Sequence, residues 1–318
     1  MDVDSYVLIT PARNESATLA QTIEAVLNQT IRPRRWVIVS DASTDGTDEI
    51  VRWWSRRHSL IVGIRLERDG PRDSSTGKIG ALLAGYREIE KASFDFLGQL
   101  DADVTFEPTY FEALLSRFRE NPNLGIGGGV VLDCYDGFVH THVSSVDHVA
   151  GAVQFYRRAC YESIAPYNAL RGVQEDTVAE YLARWQGWET RSFPDLCVLH
   201  HRRAGTAGQG IFRARYRAGV RQYLMGWSPV YVVARSVYCL AEPPRVCGAL
   251  VRFAGYLTAT IRRHPRELPA DLVQFIRGEQ RWRIWSKVST IGFAKTLATS
   301  GNARTTLEGP PGHGHPIQ

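Results

Sequence analysis

No apolar stretch of this sequence reaches the roughly 20 residues that a membrane-spanning helix needs. The two most apolar segments, "PVYVVARSVYCL" and "VCGALVRFAGYLTATI", run for about 12 to 16 residues and are interrupted by Arg235 and Arg252, which argues against transmembrane helices. The start, "MDVDSYVLIT", places an acid where a secretory signal needs a basic segment, and no long apolar run follows it; a cytoplasmic protein is expected. Cysteine is sparse. Cys134, Cys160, Cys197, Cys239 and Cys247 are odd in number and never in C-x-x-C spacing, which argues against a disulfide framework or a zinc site and for reduced, packed thiols. No G-x-G-x-x-G follows the first apolar run, so dehydrogenase chemistry lacks its phosphate loop. The segment "GIGGGV" follows a helical pattern and opens into a strand, a place where glycine permits close backbone approach. There is no internal repeat, and no nucleic-acid partner is expected.

What is present suffices for a substantial core: 318 residues, 44% of them hydrophobic, fit one large domain or one domain with an appendage. "YVLIT", "WVIVS", "LIVGIRL" and "FDFLGQL" are strand-like, and they alternate with the helical patterns "SATLAQTIEAVLNQ", "EIVRWW", "GKIGALLAGYREI" and "TYFEALLSRF". Such alternation predicts an α/β protein with a mostly parallel sheet. Beyond Leu124 the pattern is mixed: "LGIGGGVVL" and "VAGAVQFYR" read as strands, "RRACYESI" and "EDTVAEYLARWQ" as helices. Past Gly208 come four amphipathic helical segments rich in arginine and aromatics. From His200 to Lys287 arginines outnumber acids by about four to one, within a formal net charge of +5. This half is either a solvated basic face or one that meets phosphates or anionic lipid. Its helices either lie on a bilayer surface or cap the α/β domain. The end, "GNARTTLEGPPGHGHPIQ", has the composition of a disordered tail.

In an open α/β sheet, ligands bind at the carboxyl ends of the strands. That edge collects "TPARNE", "SDASTDGT" and "DAD". Asp101 and Asp103, at i and i+2 of an extended chain, share a face and repel one another unless a cation or proton sits between them. Oxygen ligands suit Mg2+ or Mn2+, which keep coordination positions for waters and substrate phosphates. Asp45, Gly46 and Thr47 read as an ordinary turn and helix start. Glu15, Asp41, Asp101 and Asp103 together exceed what capping needs, and they suit a nucleotide whose base or ribose donates to two acids while a metal diphosphate meets the others. "VLHHRRAG" lies at the end of a further strand, where His200 completes a metal shell or, with Arg202, touches the diphosphate.

The segments "ITPARNESATLAQTIEAVLNQT", "WVIVSDASTDGTDEIV", "GKIGALLAGY" and "LGQLDADVTF" together resemble the nucleotide-binding half of the family 2 glycosyltransferases. The likeness is dense over about the first 105 residues and less even to about residue 215. It implies a GT-A, Rossmann-like, mostly parallel mixed sheet flanked by helices, with a C-terminal helical extension. The expected division is 1–207 for the GT-A domain, comprising a nucleotide-binding half (1–105) and an acceptor half (106–207); then 208–295 for the helical extension and 296–318 for the tail. By the same resemblance, Pro11, Asn14 and Glu15 border the nucleoside, Asp41 holds the base, and Lys78 lies near the nucleotide. Asp101 and Asp103 become the D-x-D pair, Asp103 the more direct metal ligand. "SDAS" stands where many relatives carry D-D/G-S. "GAVQFYRRACYESI" resembles the strand beneath the donor sugar, with Gln154 and Arg157 either contacting that sugar or packing the strand. Glu175-Asp176 matches the family's E-D motif, which makes Asp176 the general base of an inverting transfer. "QGIFRARYRAG" lacks the tryptophan of the Q-x-x-R-W signature, which argues against processive polymerisation.

The resulting expectation is a metal-dependent inverting glycosyltransferase. It uses a nucleotide-sugar donor, a UDP-sugar, and a lipid-linked or polysaccharide acceptor of cell-envelope glycan synthesis. It works in the cytoplasm or peripherally at the inner face of the plasma membrane, on an anionic surface. The competing expectations are a nucleotidyltransferase, which would need a basic glycine-rich loop after the first strand, and a non-catalytic nucleotide-sugar-binding assembly subunit, which donor consumption would distinguish.

Overall fold

Consecutive residues of the first two strands divide their side chains between two cores. In β1 (Tyr6–Ala12) and β2 (Arg35–Asp41), Tyr6, Leu8, Trp36 and Ile38 enter one cluster, whereas Val7, Ile9, Val37 and Val39 enter the other. A strand buried on both faces needs such an unbroken apolar run, and each large side chain removed from water contributes about 1.5–3 kcal/mol. The structure is a computed structural model describing residues 4–67, 74–135, 138–141, 145–165, 175–201, 210–238, 240, 245–266 and 268–300.

Helix α1 (Leu19–Leu27) and α2 (Thr47–Ser55) follow these strands; β3 (Ile61–Leu66), α3 (Ser74–Ile89), β4 (Phe96–Leu100), β5 (Val104–Phe106) and α4 (Tyr110–Glu120) come next. The mixed half comprises β6 (Leu124–Tyr135), β7 (Phe138–Thr141), β8 (Val153–Arg157), α5 (Arg158–Ile164), α6 (Glu175–Trp185) and β9 (Glu189–His200). The sheet order is β3-β2-β1-β4-β8-β6-β9-β5, with β7 paired to β6. Strands β1 to β4 are mutually parallel, and β8 runs antiparallel to β4 and β6. The chain leaves β1 towards β2 and β3, then returns to its other side with β4. That reversal opens a crevice at the carboxyl edge. The expected Rossmann-like mixed sheet flanked by helices is the one found.

Strands β5 and β7 were not foreseen, and β9 was foreseen only at its end. Strand β5 is three residues long, and β9 extends far upstream of the predicted strand end at "VLHH". The glycines of β6 permit close approach as expected: a Cβ on Gly128 would lie 2.6 Å from the Val153 carbonyl oxygen, and one on Gly129 would strike that of Leu196. Cys134, Cys160, Cys197 and Cys247 are free thiols, whereas Cys239 lies outside the described residues.

The extension consists of α7 (Ile211–Leu224), α8 (Pro229–Tyr238), α9 (Arg245–Ile261) and α10 (Ala270–Ser300). Helices α7 and α9 cross at glycine: a Cβ on Gly219 would strike the Arg252 carbonyl oxygen, and one on Gly255 that of Tyr216. Tyr223, Trp227, Tyr256, Leu272 and Ile276 join the core cluster that contains Val7 and Ile9, so the extension packs on the α/β domain. Helix α10 is tied to α6 by a forked Arg184–Glu279 pair at 2.7 and 3.2 Å. Among the described residues no helix is long and apolar enough to cross a membrane. Residues 301–318 of the predicted tail lie outside the described residues.

Candidate active site at the carboxyl edge of the sheet

The turns after β1 and β2 are stitched together by side chains. Asn14 has a φ of 54°, a left-handed conformation that asparagine tolerates better than most residues. Its side-chain oxygen accepts the Thr44 N–H at 2.8 Å, and its own N–H donates to Ser43 Oγ at 3.2 Å. The Glu15 N–H donates to Thr47 Oγ1 at 2.9 Å. Asn14 therefore fixes the turn after β1 against the turn after β2. Pro11 pairs in register with Val39, and Asp41 is buried at the end of β2.

Asp45 accepts N–H groups from both turns, from Thr47 at 3.0 Å and Ser16 at 3.1 Å. Burial opposes its charged form, but these bonds and the Thr47 hydroxyl outweigh it and lower its pKa from 3.8 to about 2. A depressed carboxylate pKa stabilises the fold above the unfolded value and ceases to do so as pH falls through the folded value. Asp45→Ala should thus cost about 1 kcal/mol at pH 7, as loss of a helix-start acceptor typically does. The deficit should shrink between 3.8 and about 2. Urea unfolding at pH 7 and pH 3 tests this, and an equal deficit at both would rule it out.

The acidic centre forms where β4 passes into β5. Strand β4 ends at Leu100, so Asp101 and Asp103 occupy the connecting turn rather than one face of a strand, which corrects the geometry read from their i, i+2 spacing. They converge nonetheless. Asp101, Asp103 and His200 each offer a ligand atom, and these atoms lie within 4.8 Å of one another. The pairing of β5 with β9 sets this arrangement: Val104 opposes His200, and the His201 N–H donates to the Asp103 carbonyl oxygen at 2.9 Å. His200 Nε2 lies 3.3 Å from Asp103 Oδ2.

The other imidazole nitrogen reveals a residue absent from the sequence reading. His200 Nδ1 meets Asp133 Oδ1 at 2.8 Å, and Asp133, opposite His200 in the β6–β9 register, is completely buried. Burial works against a charged imidazole, yet Asp103 and Asp133 outweigh it and raise the His200 pKa from 6.5 to about 9. The two carboxylates thus hold a proton on the imidazole that lies between them. Two oxygens and one imidazole nitrogen, backed by a carboxylate on the far nitrogen, fit a divalent metal with a supported ligand shell.

Lys78 joins this centre to the segment that leads into β8. Its Nζ lies 3.0 Å from Asp101 Oδ1 and donates to the Gly151 carbonyl oxygen at 3.3 Å. Gly151 packs directly on Asp176: a Cβ at position 151 would lie 2.7 Å from Asp176 Oδ2. Asp176, Gly151, Lys78 and Asp101 are therefore contiguous. Gln154, by contrast, is buried, donates to the Val149 carbonyl oxygen at 3.0 Å and accepts the Tyr156 hydroxyl at 2.6 Å. It also donates to the Asp176 carbonyl oxygen at 3.3 Å, which makes it a support for Asp176 and corrects its expected contact with a sugar.

Arg157 needs a larger correction. It opposes Phe96, at the end of β4 remote from Asp101. There its guanidinium donates to the Phe118, Asn121 and Leu124 carbonyl oxygens. Arg157 ties α4 to the sheet. Arg202 lies outside the described residues, as does the Glu175 side chain, although the Glu175 backbone begins α6.

Comparison with known proteins agrees with this architecture. The poly-beta-1,6-N-acetyl-D-glucosamine synthase of Staphylococcus epidermidis is 28% identical over 124 residues, 39% of this chain and 27% of that protein. A glucosyl-dolichyl phosphate glucuronosyltransferase of Haloferax volcanii is 27% identical over 130 residues, 41% of this chain and 38% of that one. The chain thus aligns with well under half the length of either relative. Among solved structures, a mannosyltransferase of Pyrobaculum calidifontis in complex with GDP-Man and Mn2+ superposes with a TM-score of 0.51 at 15% identity, covering 95% of this chain and 89% of that one. GalNAc-T7 with UDP, GalNAc and Mn2+ gives a TM-score of 0.51 at 14% identity, covering 81% and 56% of the two chains. These likenesses establish the GT-A fold. The model of the family described as "Glycosyl transferase family 2" matches residues 7–169, the span that carries the stitched turns, both D-x-D carboxylates, Lys78 and Asp133. This chain belongs to glycosyl transferase family 2.

Proposed function

We propose that this protein is a metal-dependent inverting glycosyltransferase that moves a sugar from a UDP-sugar to a hydroxyl of a lipid-linked or polysaccharide acceptor in cell-envelope glycan synthesis. One observation carries the reading: Asp101, Asp103 and His200 converge within 4.8 Å beside the contiguous Lys78, Gly151 and Asp176. Asp103, Asp101 and His200 would hold Mn2+ or Mg2+. When bound, the ion supplies positive charge against the departing diphosphate.

The chain's own residues do the rest. Asp41 takes the base, and Pro11, Asn14 and Glu15 border the nucleoside in the stitched turns. Lys78 adds a second cation beside the nucleotide. Asp176 accepts the proton of the acceptor hydroxyl as its oxygen attacks the anomeric carbon. A single attack opposite the leaving group inverts that carbon.

The outer faces of the extension suit a peripheral place at the inner leaflet. Among the described residues, α8 exposes Val230, Val233 and Val237, and α9 exposes Val246, Leu250, Leu257 and Ile261. Their i, i+3, i+4, i+7 type spacing puts each set on one stripe. Apolar stripes with arginines alongside suit the surface of an anionic bilayer.

Calorimetric titration of UDP with and without Mn2+ tests the donor site. Binding that requires the metal is expected. Binding of GDP in place of UDP would change the base, and binding of neither would remove the donor cleft from this reading. Asp133→Asn keeps the shape and discards the charge that supports His200. Loss of such support typically weakens metal binding about 10–100-fold. Unchanged Mn2+ affinity in this variant would show that Asp133 does not support the metal site.

A further inference from the structure

An open cavity of about 580 Å³ lies on the helical extension, where the end of α7 meets the start of α10. Its volume falls within the roughly 300–1,000 Å³ of ligand sites. Arg266, Arg277 and Arg281 line it together with Leu268, Val273 and Gln274. Among the described residues no carboxylate lines it.

The fold holds two of these arginines in place. Gly226 has a φ of 72° in the turn after α7, and a Cβ there would lie 2.6 Å from Val273 Cγ1. This close approach sets α10 against the end of α7. Arg277 Nε donates to the Gly226 carbonyl oxygen at 2.9 Å, and Arg266 Nε to that of Tyr223 at 3.1 Å. The Arg266 guanidinium also lies over the Tyr223 ring, 4.3 Å from its centroid. Arginine commonly engages carbonyl groups at a helix C-terminus, but here that role uses one of the five N–H groups of each guanidinium. Arg281 takes no part in it: its side chain has no hydrogen bond, ion pair or ring contact among the described residues.

The charge on this face of α10 is not balanced within the helix. Ala270, Val273, Gln274, Arg277 and Arg281 follow the i, i+3, i+4, i+7, i+11 pattern of a single helix face. Arg277 and Arg281, at i and i+4, repel each other at a cost of about 0.2–0.5 kcal/mol. Neither has Asp or Glu three or four residues to either side. Glu279 is held elsewhere, by Arg184 at 2.7 Å, with Arg283 3.8 Å away. A guanidinium only donates, and its planar fork matches the oxygens of a phosphate.

We infer that this cavity binds a phosphomonoester or diphosphate group, held by Arg266, Arg277 and Arg281. The site shares no residue with the donor centre and does not depend on the glycosyltransferase reading. The group belongs either to an anionic lipid or to a soluble phosphorylated compound. A lipid is the expected source, because the exposed apolar stripe of α9 ends at Ile261, five residues before Arg266. Apolar surface for lipid chains is thus joined to the arginines by a short connection.

Inorganic pyrophosphate, titrated calorimetrically in metal-free buffer containing EDTA, is the first probe. The wild-type protein should bind it, and Arg281→Gln should weaken binding about tenfold or more, as loss of a hydrogen bond to a charged group does. Arg281 is exposed, so this variant should melt with the wild type. Arg56→Gln removes an equal charge from the exposed end of α2 and should leave binding unchanged. The second probe is flotation with phosphatidylcholine vesicles, with and without phosphatidic acid. Flotation that requires phosphatidic acid and is lost in Arg281→Gln, but not in Arg56→Gln, assigns the group to a lipid. Arg281-dependent pyrophosphate binding without such flotation assigns it to a soluble compound. If Arg281→Gln alters neither readout, or Arg56→Gln alters both as much, the inference is overturned. Neither probe involves UDP, so a failure of the donor reading leaves these outcomes intact.

Discussion

Asp176→Asn should lower the transfer rate by about 10²–10⁴-fold, the contribution of a positioned general base, while UDP affinity changes little. Asparagine retains a side-chain oxygen for the Thr177 N–H, now accepted at 2.7 Å, so the start of α6 should persist. What disappears is a basic oxygen beside Gly151, whose carbonyl receives the same Lys78 ammonium that meets Asp101. A mere helix-start acid makes a different prediction. Its removal would cost about 0.3–1 kcal/mol through the helix dipole, visible as lower thermal stability with turnover intact. Single-turnover transfer and UDP titration on the same preparation separate the two. Retained turnover would strip Asp176 of its role, and lost UDP binding would place it in donor recognition.

How much of this site could be read in advance depended on how far apart its members lie. The acids of "SDAS" and "DAD" end apolar runs, and parallel strands buried on both faces produce such runs. Alternation of strand and helix then fixes which edge they share. Asp133 left no comparable signal: it is one acid at the end of a glycine-rich strand, and its partner His200 stands 67 residues away. Strand β9 was obscured for a local reason. Between Gly129 and Val130 its register against β6 jumps from Phe193 to Cys197, so Pro194, Asp195 and Leu196 bulge out and break the period of two. Arg157 misled because its neighbours in sequence, not its position along the strand, resembled the sugar-contacting segment.

Removing Asp103 should have the second large effect: Asp103→Ala should abolish the Mn2+ dependence of UDP binding. Loss of a residue that only orients a ligand costs about 10–100-fold in metal affinity, so loss of a direct ligand should exceed the upper end of that range. The geometry explains why neither neighbour can compensate. Asp101 is already 3.0 Å from the Lys78 ammonium, and without Asp103 a metal would retain only that shared carboxylate and His200. His200 in turn would keep its hydrogen bond to Asp133 and lose the carboxylate on its metal-facing nitrogen. Asp103 is buried, and its replacement also removes a charge that offsets a protonated imidazole, so the metal-free variant should melt below the wild type. Asp103→Asn provides the control, because it keeps the volume and a hydrogen-bonding oxygen while discarding the charge. Loss of Mn2+-dependent UDP binding in both variants, with Asp103→Asn still folding cooperatively, assigns the effect to the ligand charge. Binding that remains metal-dependent in Asp103→Asn would move the cation away from the D-x-D turn, and the convergence of Asp101, Asp103 and His200 would then be a proton-sharing cluster that holds β5 against β9.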